Sequence, residues 1–161
     1  MVILLNGNIN SGKTTIAKYI TAMDYSIAHI EVDSLREFIH WMGLQESIKI
    51  NLENALSVAI NFHNRNISSI ITYPLSDEDY RFVTEKLTSA GIKFCVITLF
   101  TQLSQLKSNR GNRELTDWEL TRIDELYTQG LTQPSFGSII DNSKQSISQS
   151  AQQVLDLAQI K

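Results

Sequence analysis

The chain has 161 residues, a net charge of −3 and one cysteine. A single domain of this length buries about 68–70% of its unfolded surface, so a stable core requires neither disulfides nor a structural metal. An acidic balance without a basic run argues against binding of polymeric nucleic acid, because such affinity depends on many phosphate contacts. No apolar stretch approaches the ~20 residues of a membrane-spanning helix, and a lone cysteine is typical of a cytoplasmic protein.

Short apolar segments alternate with segments of helical periodicity along the whole chain. The strands are predicted at residues 2–5, 28–32, 69–73, 93–99 and 138–140. The helices are predicted at residues 13–23, 34–42, 48–64, 78–90, 102–108, 117–129 and 148–160. This alternation predicts one α/β domain over residues 1–161, with a parallel sheet covered by helices on both faces. In such folds ligands bind beyond the carboxyl ends of the strands.

The loop after the first predicted strand fits the phosphate-loop pattern G-x-x-x-x-G-K-[ST]. Backbone N–H groups of such a loop surround a phosphate, and the following helix directs its positive end toward it. Lys13 is predicted to reach the terminal phosphates, and the Thr14 hydroxyl to bind Mg²⁺. The residues predicted to bind the nucleotide, ATP, are Gly7, Asn8, Ile9, Asn10, Ser11, Gly12, Lys13, Thr14 and Thr15. An ordinary glycine turn is the alternative, and it does not require this strand–loop–helix order.

Asp33 and Arg36 follow the second predicted strand. Asp33 has two interpretations that are compatible with each other. It is placed to cap a helix, or to accept a hydrogen bond from a substrate hydroxyl and direct it at the γ-phosphate. Arg36 lies one turn later, where it is either a solvated surface arginine or a ligand of the phosphate acceptor. The apolar residues 35, 38, 39 and 42 are expected to face the core, leaving His40 and Trp41 to wall the acceptor site.

Together, the loop at residues 7–15 and the element Val32-Asp33-x-x-Arg36 resemble the small P-loop kinases. This group includes shikimate kinase, gluconate kinase, chloramphenicol phosphotransferase and the kinase domain of polynucleotide kinases. Residues 139–143 resemble the usual ending of the group, and residues 73–81 are loosely similar to gluconate kinases. The resemblance implies a five-stranded parallel sheet of order 2-3-1-4-5. It also implies a helical lid at about residues 109–116, whose Arg110 and Arg113 would clamp the transferring phosphate.

One feature departs from many P-loop proteins: the third predicted strand ends without an acidic residue. Either Asp33 serves both the metal and the substrate, or the protein binds nucleotide and catalyses poorly. The leading hypothesis is therefore an ATP-dependent kinase acting on the hydroxyl of a small molecule, with Lys13, Asp33, Arg110 and Arg113 as catalytic residues. The alternatives are a module that binds or slowly hydrolyses a nucleoside triphosphate, and a kinase of nucleosides or polynucleotide ends. A monomer or small homo-oligomer is expected.

Overall fold

A computed structural model describes residues 1–23, 26–109 and 114–160 of the chain. The strands are β1 Val2–Gly7, β2 Ile27–Glu31, β3 Ser68–Thr72, β4 Phe94–Phe100 and β5 Ser138–Asp141. The helices are α1 Lys13–Ala22, α2 Val32–Leu35, α3 Leu44–His63, α4 Asp77–Ser89, α5 Leu103–Leu106, α6 Asp117–Thr128 and α7 Ile147–Ala158. A 3₁₀ turn at Arg36–Ile39 follows α2. In the described ranges, no helix combines the length and apolar character needed to cross a membrane.

The five strands form one parallel sheet in the order β2-β3-β1-β4-β5, which confirms the predicted order. β1 is central and pairs with both β3 and β4. Because all strands run the same way, their carboxyl ends meet at one edge of the sheet. Glu31 at the end of β2 is in register with Thr72 at the end of β3, and Gly7 at the end of β1 is in register with Leu99.

β1 contributes to the hydrophobic core on both faces of the sheet. Val2 and Leu4 pack into a cluster with α3 and α4, whereas Ile3 and Leu5 pack into a second cluster with α1 and α7. A strand covered on both faces reads as a continuous apolar run, which explains why the start of the sequence lacks polar alternation. This rigid central strand delivers the chain to the phosphate loop.

Local capping signals set several helix boundaries. Ser76 and Asp79 form a reciprocal capping box at the start of α4, and Thr116 and Glu119 form another at the start of α6. A third capping box begins α7 at Ser146. Each of these boxes satisfies backbone N–H groups that a helix start leaves unpaired. The predicted helix starts at 78, 117 and 148 lie within one residue of these observed starts.

The predicted helix at 34–42 is wrong. The chain makes the four-residue α2 and then the 3₁₀ turn, so the residues at positions 35, 38, 39 and 42 do not share one buried face. Leu35 packs against the core, but the side chain of Phe38 is 78% exposed and that of Trp41 is 73% exposed. The long helix α3 correspondingly begins at Leu44, four residues before its predicted start at 48.

Candidate active site

The phosphate loop closes through backbone conformations that few side chains tolerate. Gly7, Asn10 and Gly12 have positive φ angles of 146°, 63° and 93°. A Cβ atom on Gly7 would lie 2.7 Å from Ser11 Oγ and 2.9 Å from Leu99 O, so this position has no room for a side chain. Gly12 then leads directly into α1, whose first residue is Lys13. The loop thereby connects β1 to the N-terminal end of a helix, the arrangement that binds anions in other proteins.

Lys13 lies across the loop that carries it. Its Nζ donates to Gly7 O over 2.9 Å and to Asn8 O over 2.8 Å, which places the ammonium group at the mouth of the loop. The same side chain lines a cavity of about 310 Å³ at the carboxyl edge of the sheet. A cation held at this point is available to the phosphates of a nucleotide bound by the loop.

Thr14, the predicted magnesium ligand, is paired with an acid that the sequence analysis did not single out. Its Oγ1 donates to Oε1 of Glu31 over 2.5 Å, and Ser34 Oγ lies 3.4 Å from Oε2 of the same carboxylate. Glu31 ends β2, and the adjacent β3 places Thr72 beside it. A carboxylate at the end of the neighbouring strand β2 therefore lies beside Thr14, whereas β3 ends without an acid.

Asp33 lines the same cavity as Lys13, Thr14 and Arg36. Of the two interpretations, helix capping is wrong: Asp33 lies within α2, the cap position is Glu31, and neither side chain makes a capping hydrogen bond. The Asp33 carboxylate is accessible at the cavity surface. Loss of hydration there raises the pKa of Asp33. The negative charge of Glu31 raises it further, whereas the positive charges of Lys13 and Arg36 lower it.

Arg36 contributes a donor that has no partner within the described residues. Its Nε is buried and makes no hydrogen bond there, although the side chain lines the cavity. A buried polar atom without a partner costs free energy unless a ligand or water satisfies it. The position of this nitrogen is therefore consistent with the predicted contact to an acceptor.

Tyr73 forms part of the cavity wall immediately after β3. It is 8% exposed, and burial is the main reason that its pKa lies well above the ordinary value of tyrosine. The negative charges of Asp79 and Asp33 raise the pKa further, whereas Arg122 and Arg36 oppose them. The phenol accordingly stays protonated across the physiological pH range and remains a hydrogen-bond donor among four charged side chains.

The opposite wall comes from α6, through Trp118, Glu119 and Arg122. Arg122 pairs with Glu125 over 2.7 Å and lines the same cavity as Tyr73. A second cavity of about 510 Å³ continues outward, and it shares Tyr73, Pro74 and Arg122 with the first. Its floor includes Phe82. The two cavities therefore adjoin, and both are lined by a mixture of charged and apolar side chains; the second is called the outer cavity below.

The remaining predicted residues fall into three groups. Arg110 and Arg113, at the centre of the predicted lid at 109–116, lie outside the described residues. His40 and Trp41 do not line the cavity, so their predicted contact with the acceptor site is wrong. Asn142, within the segment 139–143 that resembles the usual ending of the group, donates to Ser11 O over 2.7 Å and so contacts the phosphate loop.

Sequence reasoning missed Glu31, Tyr73, Trp118 and Arg122. A signal for Glu31 existed, since a carboxylate at the last position of a buried strand has no place in the core. The loose similarity of residues 73–81 to gluconate kinases pointed to the Tyr73 segment. Nothing in the sequence pattern distinguished Trp118 and Arg122 from ordinary residues of an amphipathic helix, because their role depends on what α6 packs against.

No protein-family model and no curated protein matches the sequence. Solved structures do match over nearly its whole length. The tunicamycin resistance protein of Deinococcus radiodurans is 16% identical, with a TM-score of 0.74 over 99% of this chain and 96% of that chain. An APS kinase of Mycobacterium tuberculosis, in complex with AMPPNP and APS, is 19% identical with a TM-score of 0.69 over 98% and 96%. A sugar kinase from Janibacter is 19% identical with a TM-score of 0.72 over 99% and 94%.

These likenesses define the class of the fold. The chain has a three-layer α/β P-loop fold like that of solved small kinases, with the sheet order that the sequence resemblance implied. At such low identity, the neighbours establish architecture and not chemistry. The activity must be argued from the side chains of this site.

Proposed function

We propose that this protein is an ATP-dependent phosphotransferase that moves the γ-phosphate to a hydroxyl group of a small-molecule acceptor. The observation that carries the proposal is one cavity lined by the phosphate-loop residues Lys13 and Thr14 and by the acidic and basic pair Asp33 and Arg36. Nucleotide and acceptor groups would meet in this cavity. The kinase fold of the structural neighbours supports the same class of reaction.

The nucleotide half of the site consists of the loop amides and Lys13. The positive φ angles of Gly7, Asn10 and Gly12 orient the N–H groups, and the N-terminus of α1 adds its partial positive charge. The ammonium group of Lys13 would leave the carbonyl oxygens of Gly7 and Asn8 and donate its hydrogen bonds to the β- and γ-phosphates instead. Catalysis of phosphoryl transfer depends largely on such positioning and charge stabilisation.

The side chains beside Thr14 fit a magnesium ion. Mg²⁺ prefers hard oxygen ligands and is usually bound by one or two protein oxygens together with phosphates and water. Thr14 Oγ1 and the Glu31 carboxylate provide such oxygens, and they lie 2.5 Å apart. When bound, Mg²⁺ neutralises charge on the phosphates of the nucleotide. Glu31 would orient the hydroxyl of Thr14 and hold the ion's water shell.

On the acceptor side, Asp33 would accept the proton of the attacking hydroxyl. The acceptor oxygen then bonds to the γ-phosphorus, the bond from that phosphorus to the β,γ-bridging oxygen breaks, and ADP leaves with the bond's electron pair. Arg36 would hold a polar or anionic group of the acceptor with its unpartnered Nε. Tyr73, a permanent donor in the wall, would bind an acceptor oxygen. Arg110 and Arg113 keep their predicted role as phosphate clamps.

The outer cavity indicates an acceptor that extends beyond one small ring. It adjoins the first cavity at Tyr73 and is lined by the apolar side chain of Phe82 together with the charged side chains of Lys49 and Glu78. A polar alcohol carrying a second, partly apolar group matches this combination.

A panel of candidate acceptors with Mg·ATP tests the proposal. The panel contains sugars, shikimate-like acids, nucleosides and hydroxylated antibiotics, and mass spectrometry detects the phosphorylated product. We expect at least one acceptor to be phosphorylated, and Asp33→Asn to slow formation of that product by about 10²–10⁴-fold while leaving Mg·ATP affinity nearly unchanged. Absence of Mg·ATP binding by calorimetry, or nucleotide hydrolysis that no acceptor stimulates and Asp33→Asn does not alter, would contradict it.

Glu31 also bears on the alternative of a non-catalytic nucleotide-binding module. That hypothesis was motivated by the absence of an acid after β3. Because Glu31 contacts Thr14 from β2, the lack of an acid on β3 no longer favours it. The third hypothesis, a polynucleotide-end kinase, is disfavoured by the net charge of −3.

A further inference from the structure

Two buried asparagines flank Gly7, and each one connects the phosphate loop to a different wall of the active-site cleft. Asn6 and Asn8 are both 0% exposed. The amide of Asn6 is oriented by Thr98, to whose Oγ1 its Nδ2 donates over 3.0 Å. Its Oδ1 accepts from Leu75 N over 2.8 Å. Leu75 directly follows Tyr73 and Pro74, which line both cavities.

Asn8 makes the corresponding connection on the other side. Its Oδ1 accepts from Ile9 N over 2.7 Å, and its Nδ2 donates to Ile123 O over 3.0 Å. Ile123 lies in the middle of α6, one residue after Arg122. A mid-helix carbonyl already has an intrahelical partner, so this bond is not needed to satisfy the end of a helix. This additional hydrogen bond connects the phosphate loop to the helix that carries Trp118, Glu119 and Arg122.

The phosphate-binding lysine touches the same residue. Lys13 Nζ donates to the carbonyl oxygen of Asn8 over 2.8 Å, while the Asn8 side chain holds α6. A nucleotide that draws the ammonium group toward its phosphates therefore changes the bonding of Asn8 directly. No intermediate residue is needed between the phosphate site and α6.

We infer that Asn6 and Asn8 are positioning residues that couple nucleotide binding to the acceptor site. Asn6 holds the Tyr73–Pro74 segment through its bond to Leu75, and Asn8 holds α6 through its bond to Ile123. The distance between these two walls of the cleft therefore depends on the phosphate loop. This inference rests on the proposed function, because it concerns the acceptor of that reaction. The inference goes beyond that function in one respect: binding of the nucleotide increases the affinity for the acceptor, and these two side chains carry the coupling.

The two tryptophans of the chain permit a direct test of the Asn8 link. Trp118 lines the cavity on α6, and Trp41 lies outside it, so Trp41→Phe leaves Trp118 as the only tryptophan reporter. In this background we expect Mg·ATP to change Trp118 fluorescence. Adding Asn8→Ser should remove most of that change, because serine does not reach Ile123. Asn64→Ser, at an exposed position, is the matched control and should retain the full response.

Kinetics separate positioning from a merely structural role. For an acceptor identified in the panel, we expect Asn8→Ser and Asn6→Ser to raise the acceptor KM about fivefold or more, in the range of measured couplings between linked sites. For Asn6→Ser, the Kd for Mg·ATP should change by less than about threefold, since both hydrogen bonds of the Asn6 side chain lie outside the predicted phosphate contacts. Thr98→Val, which frees the amide of Asn6 while keeping its Oδ1, should give an intermediate effect.

If the variants do not fold, hydrogen exchange measured on the unmodified protein tests the coupling between the nucleotide site and the acceptor site. Mg·ATP should slow exchange at residues 73–76 and 118–126 more than at 84–89 in α4. Equal protection of these segments, or a full Trp118 response in folded Asn8→Ser, would overturn the coupling. If calorimetry shows no binding of Mg·ATP at all, the proposed function fails first, and the two failures are thereby distinguished.

Discussion

The hydroxyl of Thr14 donates a 2.5 Å hydrogen bond to the carboxylate of Glu31, joining the start of α1 to the end of β2. Under the proposed function, this contact would give Glu31 and Asp33 different tasks. Glu31 stands beside the predicted magnesium ligand, and Asp33, two residues later, remains available to an acceptor hydroxyl. The arrangement removes the need for Asp33 to serve both metal and substrate.

Replacing Glu31 tests that division of tasks. Glu31→Gln keeps the shape of the side chain but removes its charge, so we expect the Mg²⁺ concentration for half-maximal activity to rise by about tenfold, as loss of one charged hydrogen bond predicts. Binding of ATP in the absence of Mg²⁺ should stay close to wild type. Magnesium titrations of activity, with calorimetry in EDTA, measure both quantities. Glu37→Gln is the charge-matched control, and an equal effect of the two variants would contradict the assignment.

The raised pKa of Asp33 predicts the acid limb of the pH–rate profile. The ionised carboxylate is the form that accepts a proton, so kcat/KM should fall as pH decreases through a pKa higher than that of an ordinary aspartate. Asp33→Asn should reduce kcat by about 10²–10⁴-fold, the usual contribution of a general base. The residual activity should lack this acid limb. A wild-type profile that is flat down to the ordinary pKa of aspartate would argue against Asp33 as the base.

The same pKa shift has a consequence for stability. A carboxyl group whose pKa is raised by folding binds its proton more tightly in the native state, so its contribution to stability decreases as pH rises from the unfolded pKa through the folded one. Ionised Asp33 therefore destabilises the protein at neutral pH. We expect Asp33→Asn to increase the Tm at pH 7 by only about 1–2 °C, because an accessible charge is well screened. Calorimetric scans below the ordinary aspartate pKa should show no difference.

Gly7 should tolerate no side chain. In Gly7→Ala, the new Cβ would approach Ser11 Oγ and the backbone of Leu99, at a φ of 146° that alanine rarely adopts. We expect loss of Mg·ATP binding and a lower Tm. Gly130→Ala is the matched control: Gly130 also has a positive φ, of 79°, but no atom lies within 4 Å of the point that its Cβ would occupy. Retained nucleotide affinity in Gly7→Ala would refute the close packing of this loop.

Partial filling of the outer cavity should change acceptor selection by size. Gln129 lines this cavity but not the inner one, and it is exposed. We expect Gln129→Trp to raise KM for two-ring acceptors at least about tenfold, while single-ring acceptors and Mg·ATP affinity are nearly unaffected. Steady-state kinetics on matched one-ring and two-ring alcohols measure the difference. Thr128→Trp, on the same helix but outside the cavity lining, is the control; equal KM changes for both acceptor sizes would show that acceptors do not reach the outer cavity.

The sequence by itself determined the features that depend on neighbouring residues. Strand β1, the glycines of the phosphate loop and the first turn of α1 are contiguous, so their pattern predicted both the structure and the anion-binding chemistry. The capping boxes at Ser76, Thr116 and Ser146 are equally local, since each is completed within three residues. Alternation of strands and helices, together with the family resemblance, then predicted the sheet order.

Only the tertiary structure decided which distant side chains share the site. Glu31 meets Thr14 across 17 residues, Leu75 meets Asn6 across 69, and Ile123 meets Asn8 across 115. A parallel sheet requires long crossovers between paired strands, so side chains at its carboxyl edge come from widely separated segments. Periodicity indicates which face of a helix is buried, but not what lies opposite it. For that physical reason the sequence alone does not separate Arg122 and Trp118 from ordinary surface residues. Their place in the cavity depends on the packing of α6 against the phosphate loop.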